Sequence, residues 1–358
     1  MTLLARDEAD ILDAQIAFHL AVGVDFVIAT DNRSQDATRE ILQRYADAGY
    51  VHVIEEQSDE NRQSEWVTRM ARLAASEFGA DWVINSDADE FWWPRAESLK
   101  AILEVVPERY GALTAFPRQF VPRPGDGELF AERMAVRLSP DAPIVSGQYR
   151  SFPKIVHRAD PDIVVTRGNH TIVSDLLAFR GWYPIELLHF PLRSLEQCER
   201  KYLTAHRTKA KHTSRGPTTH ASEGKRAVEQ GKLGEYFDSF VVSDEELQRG
   251  LAEGTLVIDT RLRDALRELR NRAGAPAASF VSPQGFAVGS PGLSLNKPDL
   301  VEEMRYGRES GAFAEGELVR VQKRLDRVER RLAEIERKPI DRLRAASIRL
   351  ARRMRSQR

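Results

Sequence analysis

Asp87, Asp89 and Glu90 fall within four residues, directly after the apolar run Trp82-Val83-Ile84 and just before the aromatic run Phe91-Trp92-Trp93 and Pro94. Carboxylates packed this closely repel one another unless water, cations or a divalent metal neutralise them. Trp, Val and Ile are strand formers, so the acids gather where a buried strand ends. In an α/β enzyme that is a place to hold Mg2+ or Mn2+ against a phosphorylated ligand. Taken alone, the stretch reads equally well as a solvated acidic turn.

The elements that must position these acids follow a regular rhythm. Met1–Ala5 is a short buried strand, followed by a helix with Asp7 as N-cap and Ile11, Leu12, Ile16 and Leu20 on one face, closed by Gly23. The second strand is Val24–Ala29, ending in Thr30-Asp31-Asn32. Ser34 and Asp36 are turn and cap residues before a helix over Ala37–Asp47. Val51–Ile54 is the third strand, and Trp66, Met70, Leu73 and Phe78 mark the next helix. The stretch from Asp81 is the fourth strand. This alternation predicts an α/β fold with a mostly parallel sheet flanked by helices. In such sheets ligands bind beyond the carboxyl ends of the strands. Asp7 and Glu8 follow strand one, Asp31 strand two, and Asp87 and Asp89 strand four, so acids from three strands converge on one site. Each also has a plainer use: helix capping for Asp7, an Asx-turn for Asp31.

Composition excludes several classes. The chain has 358 residues and a net charge of −1, which gives no reason to expect nucleic acid. Its single cysteine, Cys198, rules out an intrachain disulfide and a cysteine-based metal site. No apolar run approaches a membrane span, and no signal peptide is visible. No G-x-G-x-x-G follows the first strand and no G-x-x-x-x-G-K-[ST] occurs, against a dinucleotide-binding dehydrogenase and a P-loop NTPase. Phosphates would therefore be held by metal and basic side chains.

The set Arg6-Asp7-Glu8-Ala9, Phe18-His19-Leu20, Gly23-Val24-Asp25, Asp31-Asn32-Arg33-Ser34-Gln35-Asp36 and Asp87-Ala88-Asp89-Glu90-Phe91 resembles family 2-type glycosyltransferases, in the branch with a DxDEF metal motif. It covers about the first third of the chain. The resemblance implies a GT-A fold, a nucleotide-sugar donor and a divalent cation, Mn2+ or Mg2+. Asp31 would contact the nucleobase, Asp87 would lie near the ribose and metal, and Asp89 would ligate the metal through the donor diphosphate. One departure is that the first strand starts at Met1, so either that strand is short or the start is late.

Beyond Pro94, a short helix around Leu99–Val106 and strands at Ala112–Phe120, Tyr149–His157 and Ile163–Thr166 are expected, with Pro117 putting part of its strand at an edge. Arg167-Gly168-Asn169-His170 is a polar turn. Trp182–Pro191 is a strand carrying His189, which the GT-A resemblance makes the choice for a third metal ligand beside Asp87 and Asp89, a partly buried structural histidine being the plainer use; His170 is the alternative ligand or an acceptor-site residue. An inverting reaction also needs a base for the acceptor hydroxyl. Glu186 is the first candidate, with Asp175 and Glu90 behind it. Lys201–Lys232, with Arg207, Lys209, Lys211 and Arg215, is either a solvated loop or a lid whose cations screen the leaving diphosphate, with Arg193 and Lys201 placed to help.

The domain plan is a GT-A-like domain over 1–271, a Gly-, Pro- and Ser-rich linker over 272–298 and a helical tail over 299–358. In the tail, Leu318, Val321, Leu325, Val328, Leu332 and Ile335 form an a/d seam, hence a short coiled coil or one amphipathic helix docked on the domain. From Glu317 to Arg358 basic residues outnumber acidic ones 15 to 6. That suits a homo-oligomer through the coiled coil and peripheral contact with an anionic membrane. The expectation is a glycosyltransferase acting on a glycan or lipid-linked acceptor, with UDP- or GDP-sugar as donor, in the cytoplasm or at the cytoplasmic face of a membrane. A nucleotide-sugar-binding scaffold and a nucleotidyltransferase are the alternatives.

Overall fold

In the computed structural model, which describes residues 1–58, 62–124, 129–140, 142, 149, 152–207, 220–273, 280 and 325–328, the early alternation becomes β1 (Thr2–Ala5), α1 (Leu12–Ala21), β2 (Val27–Asp31), α2 (Thr38–Asp47), β3 (Val51–Glu55), α3 (Gln63–Ser76) and β4 (Trp82–Asp87). β1 pairs in parallel with β2 on one side and β4 on the other, and β2 pairs in parallel with β3. β2 is buried along its whole length, as a strand covered by helices on both faces must be. α3 shows why its sequence is helical: Trp66, Val67, Met70, Ala71 and Ala74 line one buried stripe, of which Val67, Met70, Ala71 and Ala74 share a core with Ile28 and Val83.

The chain then gives β5 (Glu90–Pro94), α4 (Leu99–Glu104), β6 (Ala112–Gln119), α5 (Phe130–Arg133), β7 (Val136–Leu138), β8 (Lys154–Arg158), β9 (Val164–Val165), β10 (Ile172–Val173) and β11 (Ile185–His189). After these come α6 (Leu195–Arg207), α7 (His220–Glu229), α8 (Leu233–Asp238), α9 (Asp244–Glu253), β12 (Leu256–Ile258) and α10 (Arg261–Ala273). Among the described residues the main sheet has eight strands in the order β3-β2-β1-β4-β8-β6-β11-β5, with small antiparallel pairs β9–β10 and β7–β12. β8 runs antiparallel to β4 and β6, β11 is parallel to β6, and β5 is antiparallel to β11. The expected α/β fold is present, and among the described strands the main sheet is mixed, with four parallel and three antiparallel pairings.

One connection dictates the shape of this sheet. Only Ala88 and Asp89 separate β4 from β5, yet the two strands stand four ladder steps apart. Along a flat sheet that is about 19 Å, and the three peptide units from Asp87 to Glu90 span at most about 11 Å. The sheet therefore curls until β5 comes back beside β4, and the Ala88-Asp89 turn ties the edge strand β5 to the inner strand β4.

Several local expectations are corrected. Asp7 does not cap α1: the helix begins at Leu12 with Ile11 at its N-cap and no side-chain cap bond. Asp7 instead adopts a left-handed φ of 57°. β6 lies inside the sheet, and Pro117 is tolerated there because β8 pairs with β6 only over Ala112–Ala115, leaving the proline without a ladder partner on that side. The strand β5 emerges from what reads as an aromatic run before a breaker, with Pro94 on the outermost strand.

The ends of the expected Lys201–Lys232 loop are packed helices. Tyr202 of α6 and Ala227 of α7 share a core with Val121, Leu192, Cys198, Leu233 and Phe240. Gly224 permits this, since a Cβ there would stand 2.1 Å from the Tyr202 ring. Residues 208–219, with Lys209, Lys211, His212 and Arg215, lie outside the described residues, as do the side chains of His206, Arg207 and His220. The chain divides into two units, Met1–Phe179 with Tyr183–Met304, and Arg180–Trp182 with Arg305–Arg358. Of the expected coiled coil only residues 325–328 are described. They are helical, with Leu325 and Val328 exposed. The linker lies outside the described residues apart from 272, 273 and 280.

Candidate active site

The acids converge as the strand order requires. Leu4 of β1 pairs with Asp87 and Ala5 with Asp31, so these two carboxylates flank the C-terminal end of β1. The loops that leave β1 and β2 brace one another. The Asp7 N–H donates to Ser34 Oγ and the Gln35 N–H to Asp7 Oδ1 at 2.6 Å. The Ala9 N–H donates to Asp36 Oδ2. Asp31 Oδ1 accepts from the N–H and hydroxyl of Ser34, three residues on, which fixes its carboxylate at the end of β2.

Asp87 is held from three directions. Its Oδ2 accepts from Lys154 Nζ at 2.7 Å, and its Oδ1 faces Gln63 Nε2 at 3.2 Å and Asn169 Nδ2 at 3.3 Å. Lys154 also reaches Glu90 Oε1 at 2.7 Å, while Glu90 Oε2 accepts the Asp87 N–H at 3.1 Å. Burial pushes the Glu90 carboxyl up to about 7 against the pull of Lys154, with the Asp87 charge adding to the rise.

Asp89 is less enclosed by partners. The Phe190 N–H donates to its carbonyl at 2.9 Å, which pins the turn to the end of β11. Its Oδ2 lies 3.6 Å from His189 Nε2 and 3.7 Å from Lys201 Nζ, beyond ordinary hydrogen-bond length. Burial would raise this carboxyl, but His189, Lys201 and Arg193 outweigh it and hold Asp89 well below the usual range. His189 Nδ1 bonds Gln119 Oε1 at 2.8 Å, which orients the ring and leaves Nε2 facing Asp89. A carboxylate oxygen and an imidazole nitrogen at this spacing are a donor pair that suits a divalent ion. Asp87, the third expected ligand, is turned instead to Lys154. Among the described residues no three His, Cys, Asp or Glu side chains are grouped to hold a metal by themselves. Asp89 and His189 are the pair that would have to hold an ion, with its remaining ligands supplied by substrate and water.

Two expected contributors stand elsewhere. The Arg193 side chain is 0% exposed, so it cannot meet a diphosphate as expected. It is sealed between Glu8 and Asp10, with its Nε 2.6 Å from Asp10 Oδ2 and its Nη2 on Glu8, and it donates to the Phe190 carbonyl. Glu8 is accordingly a clamp on Arg193, with burial pushing its carboxyl up to about 7. Glu186, the expected base, is three residues from His189 on β11 and so faces the other side of the sheet. Its Oε1 accepts from Arg118 Nε at 2.7 Å and its Oε2 from Arg261 Nη1 at 2.6 Å. Although burial raises it, the two guanidiniums hold its carboxyl below the usual range. A carboxylate with both oxygens so engaged is a poor proton acceptor. Burial pushes the Cys198 thiol up to about 12, which removes it as a nucleophile.

Sequence reasoning missed Lys154, Gln63, Asn169 and Asp10. Lys154 left a signal, a cation opening the run Ile155-Val156. The others left none, because they come from a helix start, a turn and a loop with no shared spacing.

Residues 3–170 match the family model described as glycosyltransferase family 92. The chain is a glycosyltransferase. The match includes Asp31, Asp87, Asp89 and Lys154 and ends before His189. The enzyme is also similar to solved structures of S. aureus TarS. TarS 1–349 is 12% identical, with 77% of this chain and 91% of that chain covered and a TM-score of 0.33. TarS 1–349 in complex with UDP is 10% identical, with 83% and 96% covered and a TM-score of 0.33. A longer TarS structure is 14% identical, with 67% and 43% covered and a TM-score of 0.32. No curated protein sequence matches the chain. Among the described residues, no helix is long and apolar enough to cross a membrane.

Proposed function

We propose that the enzyme moves a sugar from a UDP- or GDP-linked donor to a hydroxyl of a glycan or lipid-linked acceptor, with Mn2+ or Mg2+ and with inversion at the anomeric carbon. The observation that carries this reading is the gathering of Asp31, Asp87 and Asp89 at the carboxyl ends of β2 and β4, with His189 Nε2 3.6 Å from Asp89. The likeness to family 2-type enzymes with a DxDEF motif supports the same assignment residue by residue.

Asp31 would face the nucleobase and Asp87 the ribose. Asp89 and His189 would hold the cation, which when bound stabilises charge on the leaving diphosphate. Lys201, 30% exposed and 3.7 Å from Asp89, takes over the screening role that Arg193 is too deeply buried to fill. Transfer also requires a group to accept the acceptor's proton. Glu186 is taken by two arginines and Glu90 by Lys154 and the Asp87 N–H, and Asp175 adjoins Ser174, which bonds Asp160 by the start of β4, so none of the three is placed as the base beside Asp89. Oligomerisation through the coiled coil, contact with anionic membrane and a cytoplasmic location are proposals that rest on sequence alone.

Thermal stabilisation by UDP and GDP, each with and without Mn2+, tests the reading. The expected result is a metal-dependent rise in Tm with one nucleotide, lost in Asp89→Ala, and transfer from the matching sugar donor. No stabilisation by any nucleoside diphosphate with metal present would overturn it.

A further inference from the structure

Lys154 is a charged residue where the pattern calls for an apolar one. It opens β8, inside the main sheet and beside Ile155 and Val156, and its side chain is 7% exposed. Its ammonium reaches Asp87 Oδ2 and Glu90 Oε1, both at 2.7 Å, and so joins the last residue of β4 to the first residue of β5. These are the two residues on either side of the Ala88-Asp89 tie. Gln63 from α3 and Asn169 from the turn at 167–169 complete the shell around Asp87. Asn169 is fully buried with a left-handed φ of 58°, a conformation that is held only when its surroundings enforce it.

A buried ion pair is weak evidence for stability, because desolvating the charges offsets their attraction and apolar side chains of similar volume often do as well. Stability alone therefore does not account for a lysine here. Orientation does. With Lys154 on Oδ2 and two amides on Oδ1, the Asp87 carboxylate is locked in one pose, and its charge is already balanced by an internal cation. Asp89, one turn residue away, is also buried, but its carboxylate meets only His189 Nε2 at 3.6 Å and Lys201 Nζ at 3.7 Å among the described contacts, longer than hydrogen bonds.

We propose that Lys154 is a positioning residue for nucleotide binding: a built-in cation that fixes Asp87 as an acceptor for donor hydroxyls and leaves cation binding to Asp89 and His189. This rests on the transfer reading above. Lys154 separates two tasks that adjacent acids would otherwise share. It touches no reacting atom and acts only through Asp87 and Glu90.

The test compares full-length wild type, Lys154→Met and the charge-balanced Lys154→Met/Glu90→Gln. Nucleoside diphosphate affinity is measured by calorimetry with Mn2+ present, Mn2+ affinity by electron paramagnetic resonance without nucleotide, and KM and kcat with the donor. The double variant keeps the test informative if the single one folds poorly, since it removes the unbalanced buried acid. The expected result in the folded variants is a rise of about tenfold or more in donor KM and nucleotide Kd, with Mn2+ affinity within about threefold of wild type. Wild-type donor KM in either variant would overturn the proposal. So would equal losses of Mn2+ and nucleotide affinity, which would make Lys154 a general structural support. If wild type itself binds no nucleoside diphosphate with Mn2+, the transfer reading falls and this proposal falls with it. Binding in wild type with no change in the variants sinks the Lys154 assignment alone.

Discussion

The two faces of β11 carry charge clusters of similar composition and opposite character. On one face Glu186 is clamped by Arg118 and Arg261, and Asp259 by Arg261 and Arg137, all within 2.9 Å. The Arg261 guanidinium also lies over the Trp93 ring at 5.2 Å, next to Glu186 across the β5–β11 ladder. Both acids have donors on each oxygen. On the other face Asp89, His189 and Lys201 stand 3.6 and 3.7 Å apart. The first cluster is satisfied within the fold. The second is brought together but not closed, so its charges keep their capacity for a ligand. Residue type alone would not separate them: the distinction lies in distance and in which way the strand faces.

The comparison can be broken by substitutions on either side. The largest effect belongs to the open cluster. Asp89→Asn should lower kcat/KM about a thousandfold, or roughly 4 kcal/mol of transition-state stabilisation, with little change in Tm; a steady-state assay beside a melting curve checks both halves. Next comes the sealed Arg193. Arg193→Met leaves Glu8 and Asp10 without their cation and should cost about 3 kcal/mol in chemical denaturation.

A third test uses His19, which is fully buried with Nδ1 donating to the Gln15 carbonyl and Nε2 accepting the Trp92 N–H. Burial lowers it to about 3, so it stays neutral in the fold while the unfolded chain takes up a proton near pH 6.5. The unfolded state then binds more protons as pH falls, so this contribution to stability is complete above pH 6.5 and is lost below it. It amounts to about 2 kcal/mol between pH 7 and 5. His19→Gln should flatten that part of the stability–pH curve, and an unchanged slope would count against it. The smallest effect belongs to the closed cluster. Glu186→Gln should leave kcat within about threefold and cost about 1 kcal/mol of stability, because the pair is partly exposed and screened. A hundredfold fall in kcat with an unchanged Tm would return Glu186 to the catalytic face.

How far the sequence revealed this molecule follows from what each signal measures. The parallel half of the sheet was legible because strand and helix periods alternate cleanly from Met1 to Asp87, and the strand-end rule then brought Asp31 and Asp87 together without knowledge of any contact. β5 was hidden because its aromatic run has no period-2 pattern: it is buried on both faces. His189 was found at the end of a strand, but Glu186, on the same strand, was assigned to the same site because facing depends on register as well as proximity in sequence. Arg193 was misjudged for a different reason. An arginine near acids looks like a phosphate ligand until burial shows that Glu8 and Asp10 already own its donors. The linker and most of the tail lie outside the described residues.

The two-residue tie between β4 and β5 has a mechanical consequence. It is a strut of fixed length with no slack to release. β5 cannot move away from β4 at the acidic turn without breaking a strand, so the spacing of Asp87, Asp89 and Glu90 has a rigid gauge. An inserted glycine between Asp87 and Asp89 would lengthen the strut and alter the gauge itself.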